Sequence, residues 1–373
     1  MHIVFTISNE SSVPYFNWFA KKSYDSELYT FSFIVMCKNK PKMIEDVGQF
    51  GYKCFWIPYD NNKRKRGMMS VLFKAYKLFR RLDPDVVHTH LFDDSLPCLF
   101  AARLAGVKIR AIVKADTGFH YFHKPQYVIA DKFNNFNATH IIPPSNESKR
   151  FIIEKEKANP KKITMIHHGI PVNFFSSPNE QYRRDLVSKF GLEGKVVLGT
   201  VSRLIDWKGY KYIIAAAAQT VERYPNARFL FVGTGPQEKQ LKELVVKHDI
   251  EGYVVFTGWI PREYIPSLYS LLDGYVHAAS YEPFGFVIPE AMISGVPIVS
   301  TPTGAALDII EHKENGYLAK YKDVQSLVDG VEFIIKHGSE LKAKGRMKAI
   351  EMFDFNKMYD NYIRLYETNS ESA

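Results

Sequence analysis

Short apolar runs of the kind that fill parallel strands recur along this chain, separated by longer stretches whose apolar residues return every three or four positions. In the first half the runs fall at 3–7, 31–36, 54–57, 86–89, 110–113, 140–142 and 163–166, with helical spacing in segments such as 70–82 and 95–104. The series then restarts. After "HHGIPVNFFSSPNEQ", which has the Gly, Pro, Ser and Asn content of a connection, runs appear at 196–201, 228–232, 254–257, 274–277 and 297–300. Helical stretches fall at about 208–223, 236–247, 261–271 and 287–294. This alternation predicts an α/β protein with two doubly wound domains. The first is expected over 1–168 and the second over 169–353, with the amphipathic end of the chain, 354–373, folding back onto the first. Ligands of open α/β sheets bind beyond the carboxyl ends of the strands, so two facing sheets predict a cleft that excludes water when it closes.

A length of 373 residues is too great for one ordinary core, which agrees with two domains. Cys37, Cys54 and Cys98 have no metal-type spacing and are too few for a disulfide scaffold, which suits a reducing cytosol. The first apolar run has no basic region before it and reads as a strand, not as a signal peptide. No run approaches the length of about 20 residues that spans a bilayer. A cytoplasmic location is therefore expected, with peripheral contact at the inner face of the membrane still open.

The net charge of +9 is unevenly placed. Residues 1–162 hold 26 Lys and Arg against 15 Asp and Glu, and 38–81 alone hold twelve against three. The partner of the first half is expected to be anionic. Within 61–82, "NNKRKRGMMSVLFKAYKLFRRL", Met69, Leu72, Phe73, Tyr76 and Phe79 fall on or near one face, with Lys74, Lys77, Arg80 and Arg81 mostly elsewhere. Such a helix can lie in an anionic membrane surface or pack its apolar face into a core. No nucleic-acid-binding module accompanies the charge.

The chemistry concentrates in the second half. In "GTVSRLIDWKGY" a strand ends at Arg203 and Lys208 opens a helix that Asp206 is placed to cap, an environment suited to a diphosphate. "FLFVGTGP" supplies Gly233 and Gly235 after the next strand; alone this is a weak signal that lacks the third glycine of the dinucleotide fingerprint. "SYEPFGFVIPEA" then sets Glu282 and Glu290 eight apart in a stretch that, from Gly274 to Leu307, has no other Asp, Glu, Lys or Arg. Lone carboxylates in such a stretch need partners. Carboxylates accept from paired sugar hydroxyls, and cations with amides suit phosphates, so the set fits a sugar nucleotide.

"SRLIDWKGY", "VGTGP" and "EPFGFVIPEAMISGVPIVSTPTGAALDII" followed by "NGYL" resemble the nucleotide-binding half of glycosyltransferase family 4, retaining enzymes of the GT-B fold and the glycogen-synthase-like superfamily. "PDVVHTH" and "ITMIHHGIPVNFF" continue the likeness in the first half. The resemblance implies two Rossmann-like domains facing across a cleft, a nucleotide-diphosphate sugar as donor with UDP favoured, and neither a cofactor nor a catalytic metal. It places Arg203 and Lys208 on the diphosphate, Glu290 on the ribose, and Glu282 with the amides of Phe284, Gly285, Phe286 and Val287 on the transferred sugar. Gly233 and Gly235 join the donor loop. Asp83-Pro84-Asp85 precedes a strand and is not expected to bind metal.

Two segments depart from the family pattern. "TISNESSVPYFNWFA" replaces a Gly-Gly loop, and "RAIVKADTGFHYFH" stands where the family places a first-domain histidine. His120 is the candidate for that role, with Asp116 as its substitute; His88 and His90 are expected to be packed or to line the cleft floor. The function implied is transfer of a hexose or N-acetylhexosamine to a saccharide or lipid-linked saccharide in bacterial surface polysaccharide assembly, capsule and lipopolysaccharide included. A sugar-nucleotide epimerase of the same fold and a non-catalytic nucleotide-binding scaffold are the rival readings.

Overall fold

The computed structural model describes residues 1–9, 14–24, 28–60 and 64–370. The chain divides into two compact units, Met1–His167 together with the chain from Met358 on, and His168–Lys357.

The first unit is built on six parallel strands, β1 (His2–Ile7), β2 (Thr30–Cys37), β3 (Lys53–Pro58), β4 (Val86–Thr89), β5 (Ile109–Val113) and β6 (His140–Ile142), in the order β3-β2-β1-β4-β5-β6. The second repeats the plan with β7 (Val196–Val201), β8 (Ala227–Val232), β9 (Val254–Gly258), β10 (Gly274–His277), β11 (Ile298–Ser300) and β12 (Tyr317–Leu318), in the order β12-β11-β10-β7-β8-β9. Helices cover both faces of a parallel sheet, which is why the strands read as continuous apolar runs: β2 is buried from Phe31 to Cys37. In each sheet the order reverses once, between β1 and β4 and between β7 and β10. Loops leaving the two strands at such a point diverge and leave a crevice at their carboxyl ends.

The run at 163–166 forms no strand. Ile163 makes one bridge to Ile141, and the following amides reach Ile141 O and Pro143 O. Pro143 and Pro144 have no N–H to return, so the ladder stops. The second sheet also holds β12, which the apolar pattern does not reveal at only two residues. A helix of 30 residues, Val324–Phe353, follows; Asp323 caps it by accepting from the Ser326 amide at 3.0 Å. Its glycines hide it in the sequence, yet Gly330 is there for close approach: a Cβ would lie 2.7 Å from both Tyr317 and Val299 side chains.

The terminal helix, Phe355–Ser370, anchors in the first unit through buried tyrosines. Tyr366 OH and His88 Nδ1 lie 2.6 Å apart, and Tyr359 OH and Ser23 Oγ 2.9 Å.

The helix Arg64–Leu82 answers the question its sequence poses by using two faces. Val71, Ala75 and Phe79 are buried in the core of the first unit, whereas Met69 (67% exposed) and Phe73 (57%) face outward beside Lys77, whose Nζ sits 4.4 Å from the Phe73 ring centroid. Residues 61–63 and the side chains of Lys65 and Arg66 lie outside the described residues, as does the stretch 10–13 of the loop after β1.

Candidate functional site

In the second unit the residues singled out from the sequence gather at the β7/β10 reversal. Arg203 leaves the end of β7 exposed and makes no ion pair among the described residues. Lys208 closes a single 3-10 turn, Asp206–Lys208, and the helix begins at Tyr210 with Gly209 as its cap. Asp206 therefore does not cap it, contrary to expectation; its carboxylate points outward, 3.8 Å from Lys211 Nζ. Lys208 Nζ instead donates to Glu282 Oε2, in the loop after β10, joining the two strands that flank the crevice. Both side chains keep some exposure, 15% and 14%.

Beneath this pair lies His277, at the end of β10. It is buried, its Nε2 lies 3.9 Å from Glu282 Oε2, and that nitrogen has no hydrogen-bond partner among the described residues. Burial first, then the charge of Lys208, pushes the imidazole down to about 3, so it is neutral at physiological pH. No motif marks this histidine in the sequence.

Glu290, in the first turn of the helix Val287–Ile293, is 2% exposed. Arg262 Nη2 donates to Oε1 at 2.7 Å and Tyr269 OH to Oε2 at 3.3 Å. Burial raises the carboxyl above its usual range while Arg262 opposes the shift. Both glutamates thus have the partners that lone carboxylates in so apolar a stretch require, and the partners are cations. Arg262 and Tyr269 were not singled out because they arrive from the turn and helix after β9, remote from the Glu-x7-Glu motif.

Between Arg203 and Arg262 a cavity of about 260 Å³ opens, lined also by Gly233, Thr234, Ile260 and Trp259, which is 71% exposed. Gly233 and Gly235 owe their size to the chain itself: a Cβ would lie 2.2 Å from Ser202 O at the first and 2.3 Å from Leu204 O at the second. They let the loop after β8 press on the loop after β7 and so shape the cavity wall. A larger hollow of about 370 Å³, lined by Asp206, Lys211, Gln237 and Gln240, contains neither glutamate and neither Arg203 nor Lys208. Phe284 is buried and packs with Phe286 against His168, at ring distances of 5.0 and 4.9 Å, holding the Phe284–Val287 turn in place.

In the first unit the segment after β5 forms a second polar centre. Asp116 is engaged by its own loop, Oδ1 accepting from the amides of Gly118 and Phe119 at 2.9 and 2.8 Å. His120, in the short helix Phe119–His123, places Nδ1 2.8 Å from Asp131 Oδ2. Asp131 Oδ1 accepts from Lys114 Nζ at 2.8 Å, and Lys114 lies 3.1 Å from Glu156 Oε2. The donor atoms of Asp116, His120 and Asp131 lie within 4.8 Å of one another. Lys114 already supplies the positive charge that Asp131 and Glu156 require. The His120 ring is walled by Phe92 at 4.3 Å and Tyr127 at 5.4 Å, and Arg64 stacks over Tyr127 at 4.9 Å. Lys114, Asp131 and Glu156 were missed by sequence reasoning; the signal available, for Asp131 alone, was an aspartate and three asparagines interleaved with the apolar residues of one helix.

His88 and His90 are packed. They stack at 4.5 Å, and His90 Nδ1 lies 3.0 Å from Thr6 O. Asp85 Oδ2 accepts from the His2 amide at 2.7 Å and so ties β4 to β1.

Comparison with known proteins bears on the family and the fold. Residues 183–351 match the family described as Glycosyl transferases group 1, and residues 30–174 match Glycosyltransferase Family 4. Over 227 residues the chain is 32% identical to the mannosylfructose-phosphate synthase of Agrobacterium fabrum, covering 58% of this chain and 50% of that one; the chain thus spans about half the length of this relative. It is 26% identical over 311 residues to the Escherichia coli UDP-Gal:alpha-D-GlcNAc-diphosphoundecaprenol alpha-1,3-galactosyltransferase, covering 80% of this chain and 79% of that one. The crystal structure of Anabaena HepE in complex with UDP-glucose shares the fold, with a TM-score of 0.83 at 20% identity over 99% of this chain and 100% of that one. The chain belongs to glycosyltransferase family 4 and has the two-domain α/β GT-B fold.

Proposed function

We propose that the protein transfers a hexose or N-acetylhexosamine from a UDP sugar to a hydroxyl of a saccharide or lipid-linked saccharide, with retention of configuration and without a metal, in the assembly of a bacterial surface polysaccharide. The observation that carries this reading is the Lys208–Glu282 pair beside exposed Arg203 at the strand-order reversal, next to a cavity walled by Trp259. A diphosphate would draw Lys208 away from Glu282 and be gripped by Arg203, leaving the Glu282 carboxylate for sugar hydroxyls. Glu290, fixed by Arg262, would accept from the ribose, and the Trp259 face offers a base a stacking surface. Charge growing on the departing diphosphate would then meet two cations already in place. His120 would receive a hydroxyl of the substrate on the first unit. The E. coli relative acts on a diphosphoundecaprenol acceptor, and HepE binds UDP-glucose; both favour these substrate classes.

Peripheral binding to anionic lipid through the outward face of Arg64–Leu82 belongs to the same reading. Met69 and Phe73 would enter the interface while Lys74, Lys77, Arg80 and Arg81 meet headgroups, each cation worth about 1 kcal/mol.

The test is product analysis with a panel of UDP, GDP and ADP sugars and saccharide acceptors in chelator. A glycoside with the donor's anomeric configuration is expected. Isomerised donor would point to an epimerase, and no turnover with any donor would leave only a binding scaffold.

A further inference from the structure

The helix Val128–Asn137 is packed inside out. It exposes Ile129 (78%), Phe133 and Phe136 (63%) and buries Asp131, Asn134, Asn135 and Asn137. The hydrophobic effect favours the reverse arrangement, so the interior polar groups must be held there by one another. The contacts form a line: His120 Nδ1 to Asp131 at 2.8 Å, Asp131 to Lys114 at 2.8 Å, Lys114 to Glu156 at 3.1 Å, and Asn135 Nδ2 donating to Glu156 at 2.6 Å. The side chains of Lys114, Asp131 and Glu156 are at most 7% exposed. Apolar residues of similar volume usually fill such a space at no loss of stability. A buried charged set kept for packing alone is therefore a poor explanation.

We propose that Asp131, steadied by Lys114, is a positioning residue that fixes the His120 imidazole with Nδ1 protonated and its Nε2 lone pair presented to a substrate hydroxyl. This rests on the reading of His120 given under Proposed function. A carboxylate only accepts, so the 2.8 Å contact obliges His120 Nδ1 to carry the proton, and in the neutral ring Nε2 is then the acceptor. Burial acts to raise the Asp131 carboxyl, but His120 and Lys114 outweigh it and hold it below its usual range, ionised at neutral pH. The same contacts with Asp131 and Glu156 keep the buried Lys114 charged against the pull of desolvation. Phe92, at 4.3 Å and 70° to the ring, limits its rotation, which leaves the hydrogen bond to set the proton's place. A sugar hydroxyl donating to Nε2 gains nucleophilicity, and the proton it releases in transfer is accepted at that atom.

The test uses the full chain with 15N-labelled histidine, the His120 signals being assigned by their loss in His120→Ala. Two-bond 1H–15N correlations show which ring nitrogen holds the proton. The wild-type protein is expected to show Nδ1–H; Nε2–H would overturn the proposal without any variant. Asp131→Asn, whose amide can donate to Nδ1, is expected to populate Nε2–H and to lower kcat by about tenfold or more with the donor KM within about twofold. Glu156→Gln disturbs the same buried set without touching His120. It is expected to lower the thermal midpoint while leaving the His120 proton on Nδ1 and kcat within about threefold. Should Asp131→Asn fail to fold, Asp131→Glu keeps the charge and is expected to retain Nδ1–H with most of kcat; loss of both contradicts the proposal. An Asp131→Asn enzyme whose kcat falls no further than that of Glu156→Gln would also contradict it. Full activity in His120→Ala would instead remove the catalytic reading of His120, while the spectrum still reports whether Asp131 positions the ring.

Discussion

In the second unit Lys208 meets Glu282 and Arg262 meets Glu290 one to one, each pair drawn from loops after different strands; in the first unit a single ammonium, Lys114, serves Asp131 and Glu156, with His120 completing the set. Exposure separates the two arrangements. Lys208 and Glu282 retain contact with solvent on both sides, so an anionic ligand can exchange for the glutamate at modest cost. Lys114 and its carboxylates are nearly sealed, and removing one partner there strands a buried charge, typically at about 3–5 kcal/mol. On the proposed reading, the part-exposed Lys208–Glu282 pair is the one that changes partners, while the sealed set around Lys114 fixes a ring.

The sharpest way to break this comparison is to remove an exchangeable cation. Lys208→Ala and Arg203→Ala are each expected to lower kcat by roughly 10²–10³-fold, the scale of losing one preorganised donor to a developing anion. Circular dichroism and the thermal midpoint should stay near wild type, since Arg203 is exposed and Lys208 part-exposed. Turnover within threefold of wild type in either variant would remove the assignment.

Acid should separate the units next. Burial pushes His90 down to about 4 and His277 down to about 3, against 6.5 in the unfolded chain. Below 6.5 the unfolded chain takes up protons that these native rings refuse, so stability present above pH 6.5 is lost as pH falls toward the folded values. For His90 alone this amounts to about 3 kcal/mol. Asp94 works in the opposite sense. Burial raises it from 3.8 to about 7, so the native state binds a proton first and gains stability as pH falls through that window. In the first unit the two effects nearly cancel; in the second, burial also lowers His312, and the raised Glu290 carboxyl, held back by Arg262, offsets only part of the His277 effect. Native-state hydrogen exchange between pH 7 and 4.5 is expected to show protection falling in β7, β8 and β10 before β1 and β4. Equal loss in both units, or earlier loss in the first, would contradict this account.

Glu290→Gln should have a smaller effect. It retains acceptor capacity but loses the charge that holds Arg262, and UDP is expected to bind about tenfold more weakly, roughly 1.4 kcal/mol. Calorimetric titration measures this; unchanged affinity would mean that Glu290 is structural only. The smallest effect concerns the outward face of Arg64–Leu82. Phe73→Ser is expected to reduce flotation with anionic vesicles several-fold at unchanged stability, because Phe73 is more than half exposed. Retained flotation would move any membrane contact elsewhere.

Much of the fold was legible because parallel strands buried on both faces must be apolar throughout, and runs such as 196–201 stand out whatever surrounds them. The grouping of the candidate donor-site residues was legible for a related reason. Arg203, Lys208 and Glu282 lie in the segments that leave the ends of β7 and β10, and Glu290 is in the helix that follows β10, so placing the strands places the residues. What escaped depended on distance in sequence or on packing. Arg262 comes from another loop to meet Glu290, His277 looks like any strand residue, and Lys114 is indistinguishable in the sequence from a surface lysine. The helix Val128–Asn137 misleads because its apolar residues face outward, the opposite of what a moment argument assumes. The long helix Val324–Phe353 was obscured by its glycines; the purpose of Gly330, close approach to β11 and β12, appears only in three dimensions.

The central claim is that the β7/β10 crevice of the second unit is a nucleoside diphosphate site in which Lys208 changes partner. The most direct measurement is the thermal midpoint of wild type and Lys208→Ala with UDP at about 100 times its dissociation constant, where binding adds about 2.7 kcal/mol. A rise of a few degrees in the wild type, as expected for a chain of this size, that is abolished in Lys208→Ala is the predicted result. No shift with UDP, GDP, ADP or CDP, or a shift of the same size in both proteins, would contradict it.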